Sequence, residues 1–324
     1  MPSQEIHHVY FLLSSQIQVN MVKLVAACLV ALAATGSAFV VPATPASVVR
    51  NAHVQQKAVG QSTTEAGQKL VIESGNCIAT IYALGACVTS FKVGDHDYLA
   101  IRPDAKLDGS KPISGGLPFC FPQFGPGEIQ QHGFARNLEW EVASTGGDSV
   151  TLTLVDTPET RAMWDHAFKA EYTVALLGGK LATTFKVTNT GASDFTFQAA
   201  LHSYFSCADI DNISIQGNFE GASFLDKTLD PPAMSSASGN EISISGPVDS
   251  VYYGVSGDVN LVEGDKKLTI SNKQGWEDTV VWSPYGDTGM GYKNFVCVES
   301  GKRVANAVTL AAGQEWVAKM NLEP

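Results

Sequence analysis

Residues 170–191 read AEYTVALLGGKLATTFKVTNTG. Tyr172, Val174 and Leu176, then Leu181, Phe185 and Val187, recur at every second position on either side of Gly178-Gly179. A period of two is that of a strand with one buried face, and paired glycines supply the positive φ angles of a tight hairpin. Two antiparallel strands are therefore predicted. Outward from this hairpin the same rhythm continues in CIATIYALGACVTSFKV (77–93), SVTLTLV (149–155), FTFQAALHSYF (195–205), ISIQGNF (213–219) and NFVCVESG (294–301), each bounded by Gly, Asn, Asp or Ser. Only TPETRAMWDHAFKAEY (157–172) offers a short helical or irregular connection. Without strand–helix–strand alternation the expectation is all-β, one large antiparallel β-sandwich over residues 66–324.

Composition narrows the function. The 324 residues are 44% hydrophobic and 16% charged, which suits a globular chain with a sizeable core. A net charge of -11 argues against nucleic acid or an anionic membrane as partner, since both demand clustered Lys and Arg. A small molecule is the expected partner, and a monomer the expected state. Six cysteines include Cys28 near the N-terminus; Cys77, Cys87, Cys120, Cys207 and Cys297 show no CxxC spacing and read as buried thiols.

The N-terminus is built differently. From Met21 the run MVKLVAACLVALAATGSAFVVP has one lysine, an apolar stretch and the small residues Gly36-Ser37-Ala38, the pattern of a signal peptide too short to span a membrane. Translation can start at Met1 or at Met21. Residues 1–38 are read as an N-terminal extension and signal peptide, and 39–65 as a transit-peptide-like linker with Arg50, Lys57 and no acid before Glu65. Phe39 after the cleavage point makes the pair resemble the bipartite plastid-targeting presequence of algae with secondary plastids. Plastid import is expected, with secretion as the alternative.

Residues 115–140, GGLPFCFPQFGPGEIQQHGFARNLEW, hold five glycines and three prolines, which forbid a regular helix or central strand. Loops over a rigid scaffold are predicted there, and such loops carry function. His132 and Arg136 make this one a candidate for recognising a polar ligand. On the strands, alternation places His202 on one face with Thr196, Gln198, Ala200 and Tyr204, and Glu299 on one face with Phe295 and Cys297. A carboxylate among apolar neighbours is suited to proton transfer near neutral pH. Alternation does not show whether His202 and Glu299, 97 positions apart, ever meet.

The succession GGLPFCFPQFGPG, QQHGFARN, LHSYF, VDSVYYG, DTVVWSPYG and CVESG, in this order, resembles the hexose-6-phosphate mutarotases of the aldose 1-epimerase superfamily, which include plant apospory-associated protein C. The resemblance implies a galactose mutarotase-like supersandwich and interconversion of the α and β anomers of glucose 6-phosphate, with neither metal nor cofactor. It implies that Glu299 removes the anomeric proton, that His202 protonates the ring oxygen, that His132 positions substrate oxygens, that Gln131 and Asp249 hydrogen-bond the sugar or its phosphate, and that Arg136 contacts the anion. Relatives carry an arginine just before the paired glycines as a second phosphate contact, where this chain has Ser114; Lys111 and Arg102 are the nearby cations able to replace it. An aldose 1-epimerase of free sugars and a non-catalytic carbohydrate-binding sandwich are the alternatives.

Overall fold

The predicted alternation reappears as alternating burial. In the strand Lys180–Asn189 every second side chain is buried, and in its hairpin partner Phe168–Leu177 the pattern runs the same way up to Leu176. Gly178 and Gly179 between them adopt φ values of 59° and 87°, the left-handed region the turn requires. The structure is a computed structural model that describes residues 60–302 and 307–324. The expectations for the signal peptide, the transit segment, Cys28 and the start codon fall outside these described residues. The first described strand is Gly60–Thr64, which lies ahead of residue 66, where the sequence reading opens the domain.

The strand ladders are antiparallel, as expected, and form sheets of five, nine, eight and two strands. The nine-stranded sheet contains the opening hairpin, and its inner face packs on the eight-stranded sheet. Phe119 of the latter meets Tyr172 at 4.5 Å and Phe185 at 4.6 Å between ring centroids. Fully burying each such ring contributes about 1.5–3 kcal/mol. The expected helical connection is one short helix, Pro158–Met163. It starts at Thr157 because Thr157 and Thr160 cap one another, each hydroxyl accepting the other's backbone N–H at 3.2 and 2.8 Å, with proline in the first turn. The remainder of 157–172 is not helical, and from Phe168 on it is strand.

Register in the eight-stranded sheet sets up the site. Its order runs Ala233–Ser236, Ser223–Asp226, Val248–Tyr252, Asp278–Ser283, Phe295–Lys302, Ala199–Leu201 and Phe119–Cys120, with Tyr204–Ser206 also paired to Phe295–Lys302. Asp249 pairs with Trp282, Trp282 with Cys297, and Cys297 with Tyr204, making one row across the sheet. The next row joins Leu225, Val251, Val280 and Glu299. Directly opposed residues of an antiparallel ladder point to the same face. These rows face away from the inter-sheet core, while Val296, Val298, Leu201 and Phe205 point into it.

Candidate active site

The 195–205 run is not one continuous strand. It breaks at Gln198, whose N–H donates to the Pro122 carbonyl, and again at His202 and Ser203, because the His202 N–H donates to the Pro118 carbonyl at 2.9 Å. Either side of the second gap the pairing with Phe295–Lys302 keeps one register, Leu201 to Ser300 and Tyr204 to Cys297. Continuing that register through the gap sets His202 opposite Glu299. The two residues that sequence could not bring together are cross-strand neighbours, and His202 Nδ1 lies 3.3 Å from Glu299 Oε1. The alignment is too poor for a hydrogen bond.

Both groups are withdrawn from water, their side chains 12% and 2% exposed. The His202 ring stacks on Tyr204 at 4.9 Å and meets the edges of Trp282 and His132 at 5.7 and 5.5 Å. Burial, then the neighbouring His132, Arg136 and Lys227, hold His202 well below its ordinary value, which favours a neutral imidazole. Burial, then Cys297 and Glu299, push the Tyr204 phenol well above its usual range, so it stays protonated.

His132 comes from the glycine-rich loop, and backbone geometry fixes it there. It sits at φ 68° and is followed by Gly133 at φ 70°; a Cβ on Gly133 would lie 2.2 Å from the Phe121 carbonyl oxygen. Only glycine fits at 133. The Gly125 N–H donates to His132 Nδ1 at 3.1 Å, and the Cys120 sulfur lies 3.3 Å from the same nitrogen. Because Nδ1 accepts, the neutral ring carries its proton on Nε2 and can donate to a ligand oxygen. Arg136 follows on a short 3-10 turn and ties the loop by donating from Nη2 to the Gln131 carbonyl at 3.1 Å, while its buried Nε has no hydrogen-bond partner.

These groups line one cavity of about 380 Å³, whose walls include Arg102, Ser114, Gln131, His132, Arg136, His202, Tyr204, Lys227, Asp249, Trp282 and Glu299. Each sequence-predicted site residue, from His202 and Glu299 to His132, Gln131, Arg136 and Asp249, reaches it. Asp249 is held by Lys227, Nζ to Oδ2 at 2.6 Å. In a chain of net charge -11 the cavity gathers Arg102, Arg136 and Lys227 against Asp249 and Glu299. Such a local reversal of sign attracts an anion.

His202, Cys297 and Glu299 each place a donor atom within 4.8 Å of the other two, a set able to surround a metal ion. Metal binding would need the Cys297 thiolate. Burial, then the Glu299 carboxylate, push that thiol well above its ordinary value.

The family model described as aldose 1-epimerase matches residues 68–323. The chain belongs to the aldose 1-epimerase family. It is an isomerase of the mutarotase kind, built on the fold of the galactose mutarotases. A protein of Cenchrus ciliaris named "Putative glucose-6-phosphate 1-epimerase" is 33% identical over 286 residues, 80% of this chain and 85% of the relative. One of Escherichia coli K12 with the same name is 28% identical over 249 residues, 71% of this chain and 82% of the relative. Among solved structures, a mutarotase-named protein of Salmonella typhimurium, YeaD, superposes with a TM-score of 0.72 at 24% identity, covering 82% of this chain and 92% of that one.

Sequence reasoning left three residues of this aldose 1-epimerase without a role. Trp282 and Tyr204 stand in quoted motifs and owe their place to the same cross-strand row as Cys297. Lys227 had no signal, since FLDKTLD resembles any polar turn; it arrives beside Asp249 because its own N–H donates to the Asp249 carbonyl at 2.8 Å. Of the two cations considered beside Ser114, Arg102 lines the cavity, whereas Lys111 is exposed and absent from its walls. The five described cysteines are buried thiols, as read from the sequence.

Proposed function

We propose that the protein is a glucose-6-phosphate 1-epimerase, in which Glu299 and His202 open and reclose the pyranose ring while basic side chains hold the phosphate. The carrying observation is the 3.3 Å pair of His202 and Glu299 at the base of a cavity that also presents Arg136, Arg102 and Lys227. Glu299 takes the proton of the anomeric hydroxyl as the bond from the anomeric carbon to the ring oxygen breaks. His202 gives a proton to that ring oxygen. The open aldehyde turns about its bond to the next carbon, and closure on its other face with both transfers reversed yields the other anomer. A positioned acid and base contribute about 10²- to 10⁴-fold each.

The charge state of His202 ties the chemistry to the phosphate. Burial first, and then the neighbours His132, Arg136 and Lys227, keep it neutral. A phosphate dianion bound beside Arg136 and Lys227 offsets their part of that effect and favours uptake of the proton the imidazole must deliver. The ring oxygen and the carbon bearing the phosphate hang on the same ring carbon, so the anion lies on the acid's side of the sugar. Trp282, Tyr204 and Phe124 offer aromatic surface to the ring, Asp249 and Gln131 accept and donate to its hydroxyls, and His132 supplies an Nε2–H.

Exchange spectroscopy by NMR on glucose 6-phosphate and glucose side by side tests this. Acceleration of the phosphate ester well beyond that of glucose is expected. Equal acceleration of both would make the protein a general aldose 1-epimerase, and acceleration of neither would overturn the reading. For the N-terminus, plastid import through the bipartite presequence is the companion proposal. A reporter fused to residues 21–70 should reach the plastid, and Phe39→Ala should divert it; signal confined to the secretory pathway contradicts import.

A further inference from the structure

Arg102 stands apart from the other cations of the cavity. Its segment runs beside Ser114, with the Arg102 N–H donating to the Ser114 carbonyl at 3.0 Å and Ile101 bridged to Gly115. Its side chain is only 14% exposed, and its guanidinium interacts with the hydroxyl of Tyr204, the residue whose ring stacks on His202. Tyr204 therefore links Arg102 to the His202 ring. The fork itself is already occupied. Nε and Nη2 of Arg102 donate to the two carboxylate oxygens of Asp104 at 2.8 and 2.5 Å, a bidentate pair. Asp104 lies only two residues on and is 47% exposed.

We propose that Arg102 is the second anchor for the substrate's phosphate and that Asp104 is an internal stand-in for that anion, keeping the fork aimed until substrate displaces it. A carboxylate and two oxygens of a phosphate meet a guanidinium with the same fork-to-fork geometry. Asp104 is a single charge on an exposed side chain, and a phosphate dianion, with twice the charge, outcompetes it. The neutral Ser114 on the facing segment leaves Arg102 the space. The inference rests on the sugar-phosphate reading above.

Kinetics of anomer exchange with the full-length chain, together with inhibition by inorganic phosphate, test it. Arg102→Ala should raise the KM for glucose 6-phosphate by about 10- to 100-fold, the loss of one charge-assisted contact, with a smaller change in kcat. Inorganic phosphate should inhibit that variant more weakly by a similar factor. Ser114→Arg in the Arg102→Ala background, which returns a guanidinium from the facing segment, should recover most of the loss. Asp104→Ala, at an exposed position, should lower KM by about two- to fivefold. An unchanged KM and phosphate inhibition in Arg102→Ala would overturn the anchor and leave the epimerase reading standing. A raised KM in Asp104→Ala would overturn the stand-in. A wild-type enzyme indifferent to hexose phosphates would bring down the epimerase reading as well.

Discussion

The strand Phe295–Lys302 has two faces that are equally dry and chemically opposite. Val296 and Val298 point into the inter-sheet core and Cys297 and Glu299 toward the cavity, and none of the four side chains sees appreciable water. On the core face burial supplies stability, because apolar groups leave water and nothing polar is stranded. On the site face burial disfavours ions, which holds His202 neutral and the Cys297 thiol protonated. Burial alone therefore does not distinguish the proposed catalytic residues. The cross-strand partner does distinguish them: Val296 faces Phe205, whereas Glu299 falls in register with His202.

If that division is right, variants on the two faces should fail differently. The largest effect belongs to the site face: His202→Gln should slow anomer exchange by about 10²- to 10⁴-fold with little change in melting temperature. Combined with Glu299→Gln it should be scarcely slower than the worse single variant, because partners that act as a unit lose their function together. Losses that multiplied would show two independent groups.

The opposite pattern is expected from the core face. Phe205→Ala should cost about 3–5 kcal/mol of stability by denaturant unfolding, while the exchange rate per folded molecule stays near that of the wild type. A hundredfold slower exchange in a folded Phe205→Ala protein would erase the distinction between the faces. A smaller effect is expected at the rim, where Arg136→Lys keeps the charge but loses the fork. The KM for glucose 6-phosphate should rise about tenfold, read from steady-state exchange kinetics.

The subtlest consequence is in pH. The fold disfavours charge on His202, which faces Glu299, Tyr204, Trp282 and His132 with Arg136 and Lys227 nearby. Below the ordinary histidine value of about 6.5 the unfolded chain binds a proton that the folded chain refuses. Stability must then fall as pH drops from about 6.5 toward the depressed folded value. Melting curves of His202→Gln should be flatter over that window than those of the wild type, and parallel curves would mean that His202 is not held neutral.

Much of this was legible in the chain. Period-two alternation carried the sandwich, and Gly178-Gly179 carried the hairpin, because strand faces and turn angles are local properties. It also placed Tyr204 with His202 and Cys297 with Glu299 correctly, even though the first of these runs is interrupted. Local pattern does not carry register between distant strands, so the meeting of His202 and Glu299 could be expected only from resemblance. The interruption at His202 was invisible for a related reason: it depends on a bond to Pro118, in a loop more than eighty residues earlier. Lys227 and the Arg102–Asp104 fork escaped because a lone cation in a polar turn looks the same whether or not a cavity lies beneath it.

The most direct test of the central claim pairs two readouts on one variant, glucose 6-phosphate anomer exchange by NMR and glucose 6-phosphate binding by calorimetry, for wild type and Glu299→Gln. The account predicts that the variant still binds the sugar phosphate and exchanges its anomers at least about 100-fold more slowly. Wild-type exchange by Glu299→Gln would contradict it, because the proton would then leave the anomeric hydroxyl by another route.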